Sequence, residues 1–400
     1  MAYESGIGVE LAYAEETNRG ETPVSPTMKT LRVNSKNINP SRNAVRPNEI
    51  QSHGWQVSSR HGFETIGGSI SGQLGMSDFD DFLALANGNS WTAAAPSTGE
   101  ASIDVTASSG EFTRSTGDYT TDGFQVGDVV QTAGFTNAGN NGFMLVTAVS
   151  ASALTLVPMS PNATLTDETG SGDETVDGPA GRLPAKNVVK TWTIERRFTG
   201  LATPKYQVFR GVTPNSWSLD VQPGGGGGGG LVSFSSDLLG ISGGSLSDTS
   251  LGTPSAPGTE APFAVFDGAI IVDGKARAAV TGMNLNVSLN RDNPAQIGSK
   301  NTVDIFGGQA TAQGQMTVML SDDNVDVFNL FDGETEFVMA LRFDSPDGSD
   351  YQAVYMPRMK ANSGDMDPPQ SGPVPITVGT EALYDTDLSA PFVWQRSNTP

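Results

Sequence analysis

Four hundred residues exceed the roughly 100–200 of a single domain, so two or three compact units are expected. The 23 Lys and Arg against 44 Asp and Glu leave a net charge of −21, with charged residues only 17% of the chain. That balance excludes affinity built on clustered phosphate contacts and a long polyanionic tail. The absence of cysteine excludes disulfides, thiolate metal sites and thiol nucleophiles.

The first residues, MAYESGIGVELAYAEE, have no basic n-region and no apolar h-segment. No stretch approaches the roughly 18–20 apolar residues of a membrane span, so a soluble product made in the cytosol is expected. Residues 1–27 read as an N-terminal arm. Beyond them period-2 alternation recurs and helical periodicity is scarce, which predicts an all-β chain. In GGSISGQ, NSWSLDV, TGMNLNVSLN and GGQATAQGQMTV, one face of each strand is polar and the other apolar or small. Two short helices are expected where Ser77 precedes DFDDFLALA and Ser321 precedes DDNVDVFNLF. Each begins with a hydroxyl N-cap and first-turn acids. Phe79, Phe82 and Leu83, and Val327, Phe328 and Phe331, form their apolar stripes.

The two halves repeat one another. Pro47-Asn48-Glu49-Ile50-Gln51-Ser52 matches Pro294-Ala295-Gln296-Ile297-Gly298-Ser299 as P-x-x-I-x-S. A strand, a Gly pair (Gly67-Gly68; Gly307-Gly308), a polar strand and the capped helix follow in each half. Arg197-Phe198 with Tyr206-Gln207 matches Arg342-Phe343 with Tyr351-Gln352 as R-F-x7-Y-Q. Ser77 and Tyr206 lie 129 residues apart but Ser321 and Tyr351 only 30, so the first copy holds 99 additional residues. These place an inserted β-domain, a small antiparallel barrel or sandwich, at 89–187. The remaining division is module one at 28–88 and 188–240, a Ser/Pro/Gly linker at 241–261, module two at 262–385 and a C-terminal arm at 386–400. The run Gly224–Gly230 reads as a flexible loop, because no helix or G-K-[ST] follows it.

Little in the chain reads as catalytic. His53 and His61 have no nearby partners for base or metal work and read as surface or loop histidines. The acidic clusters at 78–82, 321–326 and 343–350 lack the spacing of a calcium loop. Pro346-Asp347-Gly348 reads as a hairpin turn. No cofactor and no enzymatic activity are expected.

The order of these elements resembles the major tail tube protein of a long, non-contractile-tailed bacteriophage. The resemblance rests on RPNEIQSHGWQVSSRHGFETIGGSISGQLGMSDFDDFLALANG, on KTWTIERRF with YQVFRGVTPNSWSLDV, and on YQAVYMPRMKANSG through GPVPITVGTEALYD. It covers about 28–87 and 188–385, and the insertion resembles the small β-domain such proteins often carry outside. It implies two tandem β-sandwich modules, each with a flanking helix, in a virion tail assembled in the host cytoplasm. Rings would stack into the conduit for genome ejection, with three chains giving pseudo-sixfold rings, or a homohexamer as the alternative. Partners would be further copies, tail tip and terminator proteins, and a tape measure protein in the lumen; DNA would pass without specific binding. Ser69, Ser71, Gln73, Gln309, Thr311, Gln313 and Gln315 would line the lumen, an outer sheet face being the other reading of the same alternation. Asn39, Pro40, Arg42, Arg46, Asn293 and Pro294, in loops at 34–54 and 290–300, would meet the next ring. The rival is a phage decoration or receptor- or carbohydrate-binding fibre protein of immunoglobulin-like modules.

Overall fold

A computed structural model describes residues 3–49, 52–53, 55–223 and 230–398. The chain opens with β1 (Val9–Glu15), β2 (Lys29–Thr30), β3 (Ser35–Val45), β4 (Arg60–Gln73) and α1 (Asp80–Ala86). Next come β5 (Thr92–Ala93), β6 (Ile103–Thr106), β7 (Glu111–Arg114), β8 (Val129–Ala133), β9 (Gly142–Val149), β10 (Ala153–Pro158), β11 (Thr175–Asp177) and β12 (Gly181–Pro184). The first half ends with β13 (Trp192–Phe198), β14 (Lys205–Val221), β15 (Ser233–Gly240) and β16 (Ser242–Gly243). The second half runs β17 (Gly268–Val272), β18 (Lys275–Ala276), β19 (Val280–Ser288), β20 (Thr311–Met319), α2 (Val325–Asp332), β21 (Glu336–Asp344), β22 (Tyr351–Asp365), β23 (Pro375–Ala382) and β24 (Val393–Arg396). The architecture is all-β, as the alternation predicts.

Strand pairing in the second half follows that of the first. The antiparallel pairs β1–β2, β1–β13, β3–β4, β4–β15, β13–β14, β14–β15 and β14–β16 correspond in order to β17–β18, β17–β21, β19–β20, β20–β23, β21–β22, β22–β23 and β22–β24. Irregularities recur too, at Pro214/Ser216 and at Ala361/Ser363. Around these points β14 passes from β13 to β19 along one edge and β22 passes from β24 to β23 along the other, as bulges allow. Core residues from both halves, including Ile70, Phe82, Trp217, Phe234, Leu285, Met316, Val354 and Trp394, form one cluster.

Several expectations need correction. The N-terminal segment is not a free arm, because Leu11 and Ala12 in β1 are buried and the Tyr13 ring stacks on Trp192 at 4.0 Å. At the other end Val393 and Trp394 are buried in β24. Val9, Leu11 and Tyr13 alternate along the first segment and Phe392-Val393-Trp394 is an apolar run in the second, a strand signal that the reading as arms overlooks, and each fills a sheet position. The 241–261 stretch lies against the first half, where Arg197 donates to Ser250 Oγ at 3.1 Å and to the Gly252 carbonyl at 2.9 Å. The helices begin later than their serines. Their N-caps are Phe79 and Asn324, without side-chain capping bonds, and Ser77 takes a positive φ of 64°. Asp80 turns inward to Arg396 and Gln352 rather than toward the helix end. Arg197 lies opposite Tyr206, whereas Arg342 lies opposite Ala353, so the Y-Q half of the R-F-x7-Y-Q match is displaced by two positions. Ile50, Gln51 and Gly224–Gly229 lie outside the described residues, and with them part of the P-x-x-I-x-S match and most of the glycine run.

The Gly pairs do not correspond in the fold: by register the counterpart of Gly68 in β4 is Gly314 in β20, six residues beyond Gly308. A Cβ on Gly68 would lie 1.7 Å from the Asn37 carbonyl oxygen, and one on Gly314 would lie 2.8 Å from that of Asn284. Only glycine permits these backbone approaches.

Strands β6–β11 form a separate six-stranded antiparallel sheet around Phe112, Val130, Val146 and Leu156. Its ends approach through the Ala101–Glu174 and Val105–Glu168 bridges. This unit leaves the chain in the first half but docks on the second. Val129, Leu145 and Met159 pack against Ile271, Ala353 and Tyr355. Tyr351 Oη donates to the Val129 carbonyl at 2.5 Å. The Gln395 side chain accepts from Val129 N at 2.8 Å and donates to the Gly127 carbonyl at 2.7 Å. Since Gln352, Val354 and Met356 alternate toward the core, the docked unit covers the opposite face of β22.

Candidate functional site

Eight strands form one continuous antiparallel sheet in the order β3-β4-β15-β14-β19-β20-β23-β22, the two halves meeting at the β14–β19 seam. Antiparallel pairing sets side chains directly opposite one another, and alternation sends each row to one face. One row runs Ser35, Ser71, Ser235, Ser218, Asn286, Gln313, Glu381 and Lys360. A second runs Asn37, Ser69, Asp237, Ser216, Ser288 and Thr311. A third runs Gln73, Ser233, Asp220, Asn284, Gln315, Gly379 and Ser363. The interleaved row of Gly72, Phe234, Leu219, Leu285 and Gly314 turns to the core.

This face is polar and nearly uncharged. Its hydroxyls bind one another across strands: Ser218 and Ser235 meet at 2.7 Å, and Ser216 donates to Asp237 at 3.0 Å. The acids in the rows are Asp220, Asp237 and Glu381. Their one cation, Lys360, stands at the far end, 3.6 Å from Glu334. Between Ser69, Ser218, Asn286 and Gln313 the sheet curves into a trough of about 470 Å³. A surface of short hydroxyls and amides with acids but almost no cations offers phosphates weak hydrogen bonds and no compensating positive charge. The inserted domain sits on the other side of the core, against β22 and β24.

Of the residues expected at the lumen, Ser69, Ser71, Gln73, Thr311, Gln313 and Gln315 lie in these rows. Gln309 is exposed just before β20, its carbonyl accepting from Asn290 at 2.7 Å. The expected residues stop at β4 and β20. The serines and asparagines of β14, β15 and β19 complete the rows, and the same alternation in NSWSLDV and TGMNLNVSLN carries their signal.

The residues expected in stacking loops are arranged differently. Asn39, Pro40 and Arg42 belong to β3 rather than to a loop, because β3 and β4 continue as a paired arm to Val45 and Arg60. Asn39 Oδ1 accepts from Arg196 at 3.3 Å. Arg42 is bonded to buried Glu64, so its guanidinium is engaged within the chain. Arg46 is exposed where the connection to β4 begins. Asn293 and Pro294 lie in the β19–β20 connection, which the Asp292–Phe306 and Ala295–Thr302 bridges shape into a hairpin. Both connections expose large apolar side chains: Trp55, 79% exposed, and Val57 in the first, Ile297, Val303 and Phe306 in the second. His53 and His61 are exposed.

The family model for the phage tail tube protein matches residues 6–394. The chain belongs to the phage tail tube protein family. The match takes in both halves and the inserted unit and ends within β24, so the tail tube assignment covers nearly the whole fold. It makes this chain a structural component of a virion tail. No curated protein matches the chain. Among the described residues, no helix is long and apolar enough to cross a membrane.

Proposed function

We propose that this tail tube protein polymerises as stacked rings into the tube of a long, non-contractile phage tail, and that the polar eight-stranded face lines the channel through which the genome leaves. The observation carrying this reading is the continuity of that face across the β14–β19 seam. Each half contributes a similar set of strands, so the chain acts as two modules and three chains supply the six of a ring. Closure into a ring satisfies the sheet edges. Neutral and acidic walls let DNA slide, since held phosphates need Lys or Arg. The inserted domain, on the far side of the core, faces outward. Further partners are the tail tip and terminator proteins and the tape measure protein that fills the lumen before ejection. Assembly takes place in the host cytoplasm, and the role is structural rather than catalytic.

A triple variant tests the channel: Ser71→Arg, Ser218→Arg and Gln313→Arg place three cations along one row. Tails should still form, and DNA release triggered in vitro should slow markedly, most at low salt because phosphate contacts weaken as salt rises. Release at the parental rate at every salt concentration would sink the lumen assignment.

The connections at 46–59 and 289–310, with Arg46, Asn293, Pro294 and the exposed Trp55 and Ile297, provide the contacts between rings. Asn39, Pro40 and Arg42 brace the first of them through β3. Replacing 48–58 by a short Gly-Ser turn should leave folded chains that no longer lengthen into tubes by electron microscopy. Tubes of normal length from that variant would rule out the stacking role.

A further inference from the structure

We infer that the free edge of β22 in one chain pairs with the free edge of β3 in a second copy of this chain, in the register of the internal β14–β19 seam. The inference rests on the ring reading above and specifies its contact. Among the described residues, β3 pairs with β4 alone and residues 361–365 of β22 pair with β23 alone, so the eight-stranded sheet ends in two unpaired edges. Exposed edges recruit strands, and a contact between two different edges of one chain closes a ring when its rotation fits.

The internal seam fixes which residues meet. The register shifts at Pro214/Ser216 and Ala361/Ser363 make Ser363 the counterpart of Ser216. Gln73 lies opposite Ser233, the first residue of β15, as Met319 lies opposite Pro375, the first of β23. Ser71 therefore corresponds to Thr317. Their partners Ser35 and Gly282 correspond as well, and six residues on, so do Ser41 and Ser288. Within the chain Ser216 lies opposite Ser288, Leu219 opposite Leu285 and Asp220 opposite Asn284. Between chains this sets Ser363 opposite Ser41, Met366 opposite Ile38 and Asp367 opposite Asn37.

The chemistry matches pair by pair. Ile38 is fully buried and Met366 packs half-buried against the core, as the leucine pair does. Asp367 with Asn37 repeats the Asp220–Asn284 pair on the polar face. Neither similarity was needed to set the register.

Engineered cysteines test this in a chain that has none of its own. Opposed residues of an antiparallel pair have Cα atoms about 4.5–5.5 Å apart, within disulfide reach. In assembled tails Ser41→Cys with Ser363→Cys should oxidise to covalent species that end at three chains. Ser216→Cys with Ser288→Cys should close within one chain, and Ser41→Cys with Asp367→Cys, on the same face but four strand positions out of register, about 13 Å, should stay reduced. Hydrogen exchange of the unsubstituted protein gives a second reading: amides of 37–41 and 363–367 should gain protection on assembly. Assembled tubes in which 41 and 363 stay reduced and unprotected, while 216 and 288 cross-link, overturn the junction alone. Folded chains that form no rings or tubes with tail-tip partners overturn the ring reading and the junction with it.

Discussion

Trp217→Ala should lose about 3–5 kcal/mol of stability, the usual cost of emptying a large aromatic site in a packed core, and should abolish tube assembly as a consequence. Trp217 is buried on β14 at the seam, opposite Val287 of β19. Its ring stacks on Phe234 at 5.8 Å, meets Phe392 edge-on at 5.7 Å and lies 6.2 Å from Trp394. One side chain thus joins the first half, the second half and the C-terminal strand, and no small shift of a single element can refill its space. Trp217→Phe should be far milder. It keeps an aromatic ring and removes an indole N–H that has no acceptor among the described residues. Trp55→Ala, at an exposed position, should leave thermal unfolding nearly unchanged. Trp217→Ala with the parental melting temperature would contradict the packing described for the seam.

Arg396→Met should cost about 3–5 kcal/mol near neutral pH, because it leaves the Asp80 carboxylate buried without its cation. Asp80 at the start of α1 accepts from Arg396 of β24 and, at 3.0 Å, from Gln352 of β22. Burial pushes its carboxyl up to about 6, against the pull of Arg396, and Asp81 adds to the rise. Between its ordinary value near 3.8 and about 6 the folded chain therefore holds a proton that the unfolded chain releases. Stability from this group is fully present below that window and is lost as pH rises through about 6. Asp326 has the opposite sign. Hydrogen bonds from Arg277, with burial opposing and Lys275 assisting, hold it down to about 2, so its contribution is lost as pH falls from about 4 toward 2. Thermal unfolding from pH 7 to 5 should show the parental protein gaining stability and Asp80→Asn losing that gain. Arg396→Met should be partly rescued at pH 5, and Asp80→Asn with Arg396→Met should recover much of the loss at pH 7. An Arg396→Met deficit that is independent of pH would contradict the coupling.

Alternation made β4, β14, β19 and β20 legible, since each has one face in the core and one in solvent. The stripes of Phe79, Phe82 and Leu83 and of Val327 and Phe328 marked both helices. The ends were legible but underread: Val9, Leu11 and Tyr13 alternate along β1 and Phe392-Val393-Trp394 is apolar, while the partners that complete them, Trp192 beneath Tyr13 and the aromatic cluster around Trp394, are distant in the chain. The cap at Ser77 failed where Asp80 is held by a partner more than 270 residues away in the chain, and at α2 the Asn324 side chain donates to the Ala278 and Met319 carbonyls; no local pattern contains the first of these. Arg42 stood out as a base in an acidic chain, but only the fold brings it to Glu64. Half of the polar face escaped for a related reason. Each strand revealed its own alternation, while the rows arise from register, which three-dimensional pairing sets. The insertion was visible as surplus length, but its docking against Tyr351 and Gln395 depends on the fold.

The central claim is that the face bearing Ser71, Ser218 and Gln313 encloses a channel. Electron cryomicroscopy of intact tails measures this most directly, through the radial order of the layers in one ring. The account predicts three chains per ring, with those side chains at the smallest radius, the Trp217 core behind them and the inserted domain outermost. A reconstruction with the inserted domain toward the axis, or with those rows on the outer wall, would contradict it.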